Sequence, residues 1–173
     1  DEDGSFNLIA FNDMMSSRTR VVSIPHVSNV LGTVFPVAEI SRIAHNANAL
    51  MVVDGCQGAI HMPVDVKALG ADFYVFSAHK LYGPNGVGIL WGKADILLEM
   101  PPFFGGGDMI DRVTVEKTTY ALPPQRFEAG TPAIAETVAL GAAVDYVQAI
   151  GMDAIRQHEE DILSYAHQRL SAV

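Results

Sequence analysis

The sequence predicts an α/β domain in which helices flank a central, mostly parallel sheet. Three short runs of β-forming apolar residues, at 20–24, 50–53 and Phe73–Ser77, predict strands buried in the core. Between the first two, Val37–Asn46 carries apolar residues at helical spacing. A strand, a helix and another strand in succession indicate a right-handed βαβ unit with parallel strands.

The remaining elements follow from the same spacing rules. Residues 86–91 predict a fourth strand, which we expect to be antiparallel because the link of about ten residues is short for a parallel crossover. Residues 105–124 predict a hairpin arm or an ordered loop. Thr131 is expected to cap a helix that runs from Pro132 to Ile150, and Asp153 to cap the last helix. Shorter helices are predicted at 6–15, 55–60, 63–69 and 94–99.

Composition bounds the class of protein. The 173 residues amount to one domain with a sizeable core, and 49% of them are apolar against 18% charged. A net charge of −9 argues against non-specific nucleic-acid binding. The single cysteine excludes an internal disulfide, and no apolar run approaches the length of a membrane span. We therefore expect a soluble, cytoplasmic protein without nucleic-acid or membrane partners.

The sequence SAHKLYGP at 77–84 follows directly on the third predicted strand. Lys80 thus comes just past the end of a buried strand, at the edge where α/β sheets bind ligands. If apolar surroundings strip its hydration, the neutral amine gains population and can form an imine with an aldehyde. Taken alone, however, a lysine at this position is more often an ordinary surface residue.

A second strand end alters that balance. Asp54 follows four apolar residues, where a carboxylate is expected to need a cationic partner. A lysine and an aspartate at the same edge of two neighbouring strands describe a site for pyridoxal phosphate (PLP). There the lysine bonds the aldehyde, and the carboxylate pairs with the protonated pyridine nitrogen.

Four segments extend this pattern over nearly the whole chain. They are HVSNVLGT at 26–33, VDGCQ at 53–57, SAHKLYGP at 77–84 and RFEAGTP at 126–132. In order and spacing they resemble the class V, fold-type I PLP enzymes, and most of all the SufS-like cysteine desulfurases and selenocysteine lyases. The resemblance implies the fold-type I large domain, PLP as cofactor, and release of sulfur or selenium from cysteine or selenocysteine to leave alanine.

The resemblance also assigns roles to individual residues. Ser77 and His79 would hold the PLP phosphate, Asn29 and Gln57 would lie beside the phenolic oxygen, and Thr131 would reach the phosphate of a neighbouring subunit. The implied catalytic residue is Lys80. The implied cofactor-binding set is Asn29, Asp54, Gln57, Ser77, His79, Lys80 and Thr131. No metal site is expected, because the histidines show no metal-ligand spacing.

Cys56 occupies a position that the family fills with a small residue, so we interpret it as a spacer rather than as the sulfur-accepting nucleophile. The family carries that cysteine in a C-terminal small domain, which residues 1–173 do not contain. We therefore expect the chain to be the central part of the large domain, also without the family's N-terminal segment, and inactive by itself.

Three other readings stay open at this point. The same scaffold also supports other class V reactions, such as an aminotransferase or an epimerase-like activity. A non-catalytic interaction module with this fold is a second alternative, and a PLP-independent lysine aldolase is a third. The expected partners are the amino-acid substrate, a second subunit in a homodimer, and a sulfur-acceptor protein.

Overall fold

The computed structural model describes residues 4–172 of the chain. Its helices are α1 (Leu8–Met14), α2 (Val37–Asn46), α3 (Gly58–His61), α4 (Ala94–Glu99), α5 (Ile134–Ile150) and α6 (Met152–Leu170). Its strands are β1 (Val21–Pro25), β2 (Leu50–Asp54), β3 (Phe73–Ser77), β4 (Gly88–Gly92), β5 (Ile110–Val113) and β6 (Thr118–Tyr120). Two 3₁₀ turns, Ala78–Leu81 and Gln125–Phe127, complete the regular structure.

Strands β1 to β4 form one sheet in the order β1-β2-β3-β4. The first three strands are parallel, and β4 runs antiparallel to β3. This confirms the predicted α/β architecture with a mostly parallel sheet. Asp54 pairs in register with Pro25 on one side and with Val75 on the other. The carboxyl ends of all three parallel strands therefore meet at one edge of the sheet.

One apolar cluster joins α2 to the sheet. Val37, Ile40 and Ala44 on α2 are buried together with Met51 and Val53 of β2. Full burial of one such branched side chain contributes about 1.5–3 kcal/mol. The helical spacing predicted for Val37–Asn46 is confirmed, because these residues form the face that packs on the sheet.

A second cluster lies beneath the turn that follows β3. Ala78 and Leu81 of this turn are buried against Leu140 and Val147 of α5 and Ile155 of α6. Helices α5 and α6 thus support the turn that carries Lys80. Among residues 4–172, no single helix is long and apolar enough to cross a membrane. Only the α5–α6 pair, bent by 73°, meets the length and composition criteria when taken together.

The predicted hairpin arm is confirmed, since β5 and β6 pair antiparallel. The helix predicted at 63–69 is wrong, because this segment forms turns. The Asp65 side chain accepts hydrogen bonds from the amides of Lys67 and Ala68, at 2.9 and 3.0 Å. Such local side-chain bonds compete with helix formation. Gly70 then closes the segment with a φ of +68°.

Two predicted helix caps are also wrong. Helix α5 begins at Ile134, with Ala133 at the capping position, so Thr131 lies too far ahead for its hydroxyl to reach the first free amides. Helix α6 begins at Met152, so Asp153 lies inside the first turn rather than at the cap. There its charge still interacts favourably with the helix dipole. Gly151, at a φ of +87°, separates the two helices.

Asp72 is a buried carboxylate at the start of β3, away from the carboxyl edge. It accepts hydrogen bonds from Lys93 Nζ at 2.6 Å, the Met51 amide at 2.7 Å and His45 Nε2 at 2.8 Å. Burial alone would raise the pKa of Asp72, but these donors outweigh that effect and hold the pKa below its usual value. This network ties α2, β2, β3 and the end of β4 together.

Replacing Asp72 with asparagine is expected to lower the free energy of unfolding by about 1–3 kcal/mol at neutral pH, because three donors lose a charged acceptor. Since the folded-state pKa is the lower one, this stabilisation is present above about pH 4 and is lost as pH falls through the folded value. Urea unfolding at several pH values measures it. The matched control is Asp145→Asn on the exposed face of α5. If the unfolding free energies of the parent and of Asp72→Asn differed by the same amount at neutral pH and at about pH 3, the assignment would be refuted.

A candidate cofactor site at the carboxyl edge of the sheet

Two loops lie side by side where β2 and β3 end. The Gly55 amide donates a hydrogen bond to the Val75 carbonyl at 2.7 Å, which carries the strand pairing one step past Asp54. Farther along, Cys56 Sγ lies 3.9 Å from Ser77 Oγ. The structure thus brings together the segment that carries Asp54 and Gln57 and the segment that begins at Ser77.

The turn after β3 has two buried residues and two exposed ones. Ala78 and Leu81 are buried in the cluster under the sheet edge, whereas His79 and Lys80 are exposed. The turn ends at Tyr82, which has a left-handed φ of +57°, and the Gly83 amide donates to the Ala78 carbonyl at 2.9 Å. Buried neighbours thereby fix the backbone of Lys80 while its amine faces outward. Within residues 4–172, Lys80 is therefore not enclosed by apolar side chains.

Asp54 also lies outside the core. Its side chain is exposed, and Oδ1 accepts a hydrogen bond from the Cys56 amide at 2.9 Å. Within residues 4–172 it forms no ion pair, so the cationic partner predicted for Asp54 is not among these residues. As the last residue of β2, Asp54 lies just beyond the apolar layer. Its carboxylate is held in place by the turn and is free to meet a cation from outside.

Asn29 and Thr131 lie in loops. Asn29 is exposed in the loop after β1, where Ser28 Oγ accepts hydrogen bonds from the amides of Val30 and Leu31. Thr131 is exposed just ahead of α5. In the part of the chain that the structure describes, neither forms a hydrogen bond with another predicted site residue. Their roles therefore stay predictions.

Arg126 in the fourth motif has a structural role. Its guanidinium donates to the carbonyls of Leu98 at 2.7 Å, of Met100 at 3.0 Å and of Ala121 at 3.0 Å. These bonds tie the end of α4 to the segment that follows the β5–β6 hairpin. Arg126 thereby fixes the chain that leads to Thr131.

Two buried residues under the site were not predicted as site residues. His26 and Tyr74 are only 5% and 3% exposed, and His26 Nδ1 lies 3.1 Å from the Tyr74 hydroxyl. Burial lowers the pKa of His26. Burial, together with negative charge at Asp54 and Cys56, raises the pKa of Tyr74 well above its usual value. His26 follows the last residue of β1, as Asp54 ends β2. Its position at a strand end is therefore the sequence signal that indicates it.

The groups at this edge match the chemistry of PLP. A carboxylate suits a protonated pyridine nitrogen, a hydroxyl and an imidazole suit a phosphate, and a primary amine suits an aldehyde. Asp54, Ser77, His79 and Lys80 supply these groups on two adjacent segments. Gln57, half-buried next to α3, adds an amide. The donor set therefore fits the cofactor.

The chain belongs to the aminotransferase class-V family, whose sequence model matches residues 1–173. Among curated relatives it is similar to a cysteine desulfurase of Dickeya dadantii, at 51% identity over 99% of this chain and 42% of the relative. The chain thus spans about two-fifths of the length of that relative. The resemblance inferred from the four motifs is confirmed.

Solved structures agree with this assignment. The apo structure of a cysteine desulfurase from Thermococcus onnurineus superposes with a TM-score of 0.93 at 35% identity, covering 99% of this chain and 43% of that one. A variant of C-DES, which has glycine covalently linked to its PLP cofactor, superposes with a TM-score of 0.74 at 31% identity, covering 83% of this chain and 39% of that one. The predicted fold-type I architecture is confirmed.

Proposed function

We propose that the complete protein containing this chain is a PLP-dependent cysteine desulfurase or selenocysteine lyase. It removes sulfur or selenium from its amino-acid substrate and leaves alanine. The observation that carries the proposal is the meeting of Asp54 and the Lys80 turn at one edge of two paired strands. The family of the chain and the activity named for its relatives support this choice among class V reactions.

Seven residues are proposed to hold the cofactor. Lys80 Nζ would hold the cofactor through its aldehyde carbon, with the aldehyde oxygen leaving as water, and the Asp54 carboxylate would accept a hydrogen bond from the protonated ring nitrogen. Ser77 and His79 donate to the phosphate. As the family resemblance implies, Asn29 and Gln57 act on the phenolic oxygen, and Thr131 reaches the phosphate bound by a neighbouring subunit. When bound, PLP supplies an electron sink for negative charge at the substrate α-carbon.

The residues of this chain then act on protons. Asp54 holds the proton on the ring nitrogen, because a carboxylate stabilises the charged form of the group it faces. Lys80 Nζ would be the base that takes the substrate α-proton. Its exposure suits this role, since the amine must reach a substrate that arrives from outside the sheet edge. The sulfur-accepting thiolate comes from a part of the protein outside residues 1–173.

Cys56→Ala is expected to change the rate of sulfur release by less than about twofold. Cys56 is half-buried, its backbone amide donates a hydrogen bond to Asp54, and its sulfur lies against Ser77. The thiol is therefore held in place and does not reach a substrate as a mobile nucleophile. Mass spectrometry during turnover, with the rates of both proteins, measures this. A persulfide trapped on Cys56 would contradict the assignment.

The activity is tested on the complete protein with PLP, cysteine and a thiol reductant. The proposal predicts equal amounts of sulfide and alanine, and a parallel assay with selenocysteine shows which substrate is preferred. Transfer of the amino group to an oxo acid would instead favour an aminotransferase. The absence of any reaction and of any cofactor binding would favour an interaction module.

We further propose a homodimer that delivers sulfur to an acceptor protein for iron–sulfur cluster assembly in the cytoplasm. The large apolar side chains left exposed on the hairpin arm and α5, among them Val115, Ile134 and Val138, support additional protein contacts. Residues 1–173 then form the central part of the large domain and are inactive by themselves. Gel filtration of the complete protein tests the dimer, and pull-down with a persulfide-accepting protein tests the transfer.

A further inference from the structure

The buried His26–Tyr74 pair lies near the carboxyl ends of the three parallel strands, against residues 55–58, which form the turn after Asp54. His26 follows β1 directly, and Tyr74 belongs to β3, in register with Val53 of β2. The two rings meet edge to face, with centroids 6.0 Å apart and planes at 86°. The pair thus spans β2 from one neighbouring strand to the other, just below the point where Asp54 ends it.

The backbone of His26 is bonded to the same turn. Its amide donates to the Asp54 carbonyl at 2.8 Å, and its own carbonyl accepts from the Phe35 amide at 2.9 Å. The ring nitrogen Nδ1 then lies 3.1 Å from the Tyr74 hydroxyl. One residue therefore connects Asp54, the loop that leads to α2, and β3.

The turn rests on the two rings with no space between. A Cβ atom added to Gly55 would overlap the phenol ring of Tyr74, and one added to Gly58 would contact the imidazole of His26. Glycine at these two positions lets the backbone on both sides of Cys56 and Gln57 lie directly on the pair. The position of the rings consequently decides the position of the turn.

Burial lowers the pKa of the His26 imidazole, and burial together with the nearby Asp54 charge raises the pKa of the Tyr74 phenol, so both shifts favour the neutral forms. A neutral support does not neutralise Asp54 in the way that a lysine or arginine would. Neither ring therefore competes with a cation that binds Asp54 at the sheet edge.

We infer that His26 and Tyr74 are positioning residues, which hold the Asp54 turn so that its carboxylate meets the pyridine nitrogen of PLP. The inference rests on the proposed function, and it goes beyond it by naming what orients Asp54. If it is correct, the Tyr74 hydroxyl contributes to PLP affinity only through Asp54. A purely structural hydroxyl would contribute whether or not Asp54 carries a carboxylate.

A double-mutant cycle on the complete protein separates the two cases. Cofactor-free protein is titrated with PLP, and the dissociation constant is read from absorbance for the unaltered protein, Tyr74→Phe, Asp54→Asn and the double variant. Tyr74→Phe is expected to weaken PLP binding about tenfold in the presence of Asp54, and less than about twofold in the Asp54→Asn background. Equal weakening in both backgrounds would overturn the inference.

Two further variants serve as the control and as a substitute for Tyr74→Phe. Tyr165→Phe, an exposed phenol on α6, is the matched control and should leave the dissociation constant unchanged. Gly58→Ala retains the Tyr74 hydroxyl but displaces the His26 ring, so it should weaken PLP binding in the same Asp54-dependent way, and it serves if Tyr74→Phe does not fold. Full PLP affinity in Gly58→Ala would also overturn the inference. If Asp54→Asn alone leaves PLP binding unchanged, Asp54 does not pair with the pyridine nitrogen and the inference loses its basis. The proposed function fails separately, if the complete protein binds no PLP and releases no sulfide.

Discussion

Replacing Lys80 with alanine is expected to abolish the visible absorption band of bound PLP and to lower turnover at least about 10³-fold. The side chain has two proposed roles, since it would bond the cofactor aldehyde and take the substrate α-proton. It should contribute little to folding stability, because Ala78 and Leu81 anchor the turn while Lys80 is exposed. The variant should therefore unfold at the same denaturant concentration as the parent.

Lys67→Ala is the matched control for this experiment, because it removes another exposed lysine from a turn of the same domain. It should keep both the absorption band and the activity. Absorbance spectra, sulfide release and urea unfolding of the three proteins give the comparison. A Lys80→Ala protein that retained the band and turned over cysteine would show that Lys80 has neither role.

Asp54→Asn is expected to leave the fold intact and to lower turnover about 10²- to 10⁴-fold. An asparagine oxygen can still accept the hydrogen bond that the Cys56 amide now donates to Asp54. A neutral amide, however, does not stabilise a proton on the pyridine nitrogen, so the ring withdraws electrons less strongly. Since the side chain is exposed, little unfolding free energy should be lost.

Asp65→Asn makes the same chemical change in a comparable setting, since the Asp65 carboxylate also accepts backbone amides within a turn. That variant should keep its turnover. Steady-state rates with cysteine and unfolding curves decide the matter. An Asp54→Asn protein that works at the parental rate would remove Asp54 from the proposed mechanism.

Much of the fold could be predicted from local pattern. The bounds of α2, β3 and α4 follow from hydrophobic spacing, and the short link before β4 indicates its antiparallel direction. Helix α2 and strand β3 could be predicted because apolar residues of both are buried in the core. Segment 63–69 has similar apolar spacing but forms turns, since the Asp65 side chain bonds the following amides. Periodicity alone cannot weigh that competition.

The residues of the candidate site could be predicted from the sequence, but their exposure and their contacts could not. Strand ends pointed to Asp54 and Lys80, and the motifs added the other five residues. Whether the Asp54 and Lys80 side chains are exposed depends on which residues the tertiary packing covers. A run of apolar residues in the sequence does not indicate that. The His26–Tyr74 contact joins residues 48 apart in sequence, so only the strand order brings it into view.

The most direct test of the account is to locate the covalent bond between PLP and the protein. The sequence holds four lysines, at positions 67, 80, 93 and 117. Borohydride reduction of the PLP-loaded complete protein makes a lysine–cofactor bond permanent, and peptide mass spectrometry then identifies the modified residue. We expect the pyridoxyl phosphate mass on Lys80 in nearly every molecule and none on Lys93, which is held by Asp72. Modification spread evenly over the lysines, or its absence from Lys80, would show that Lys80 is not the cofactor lysine.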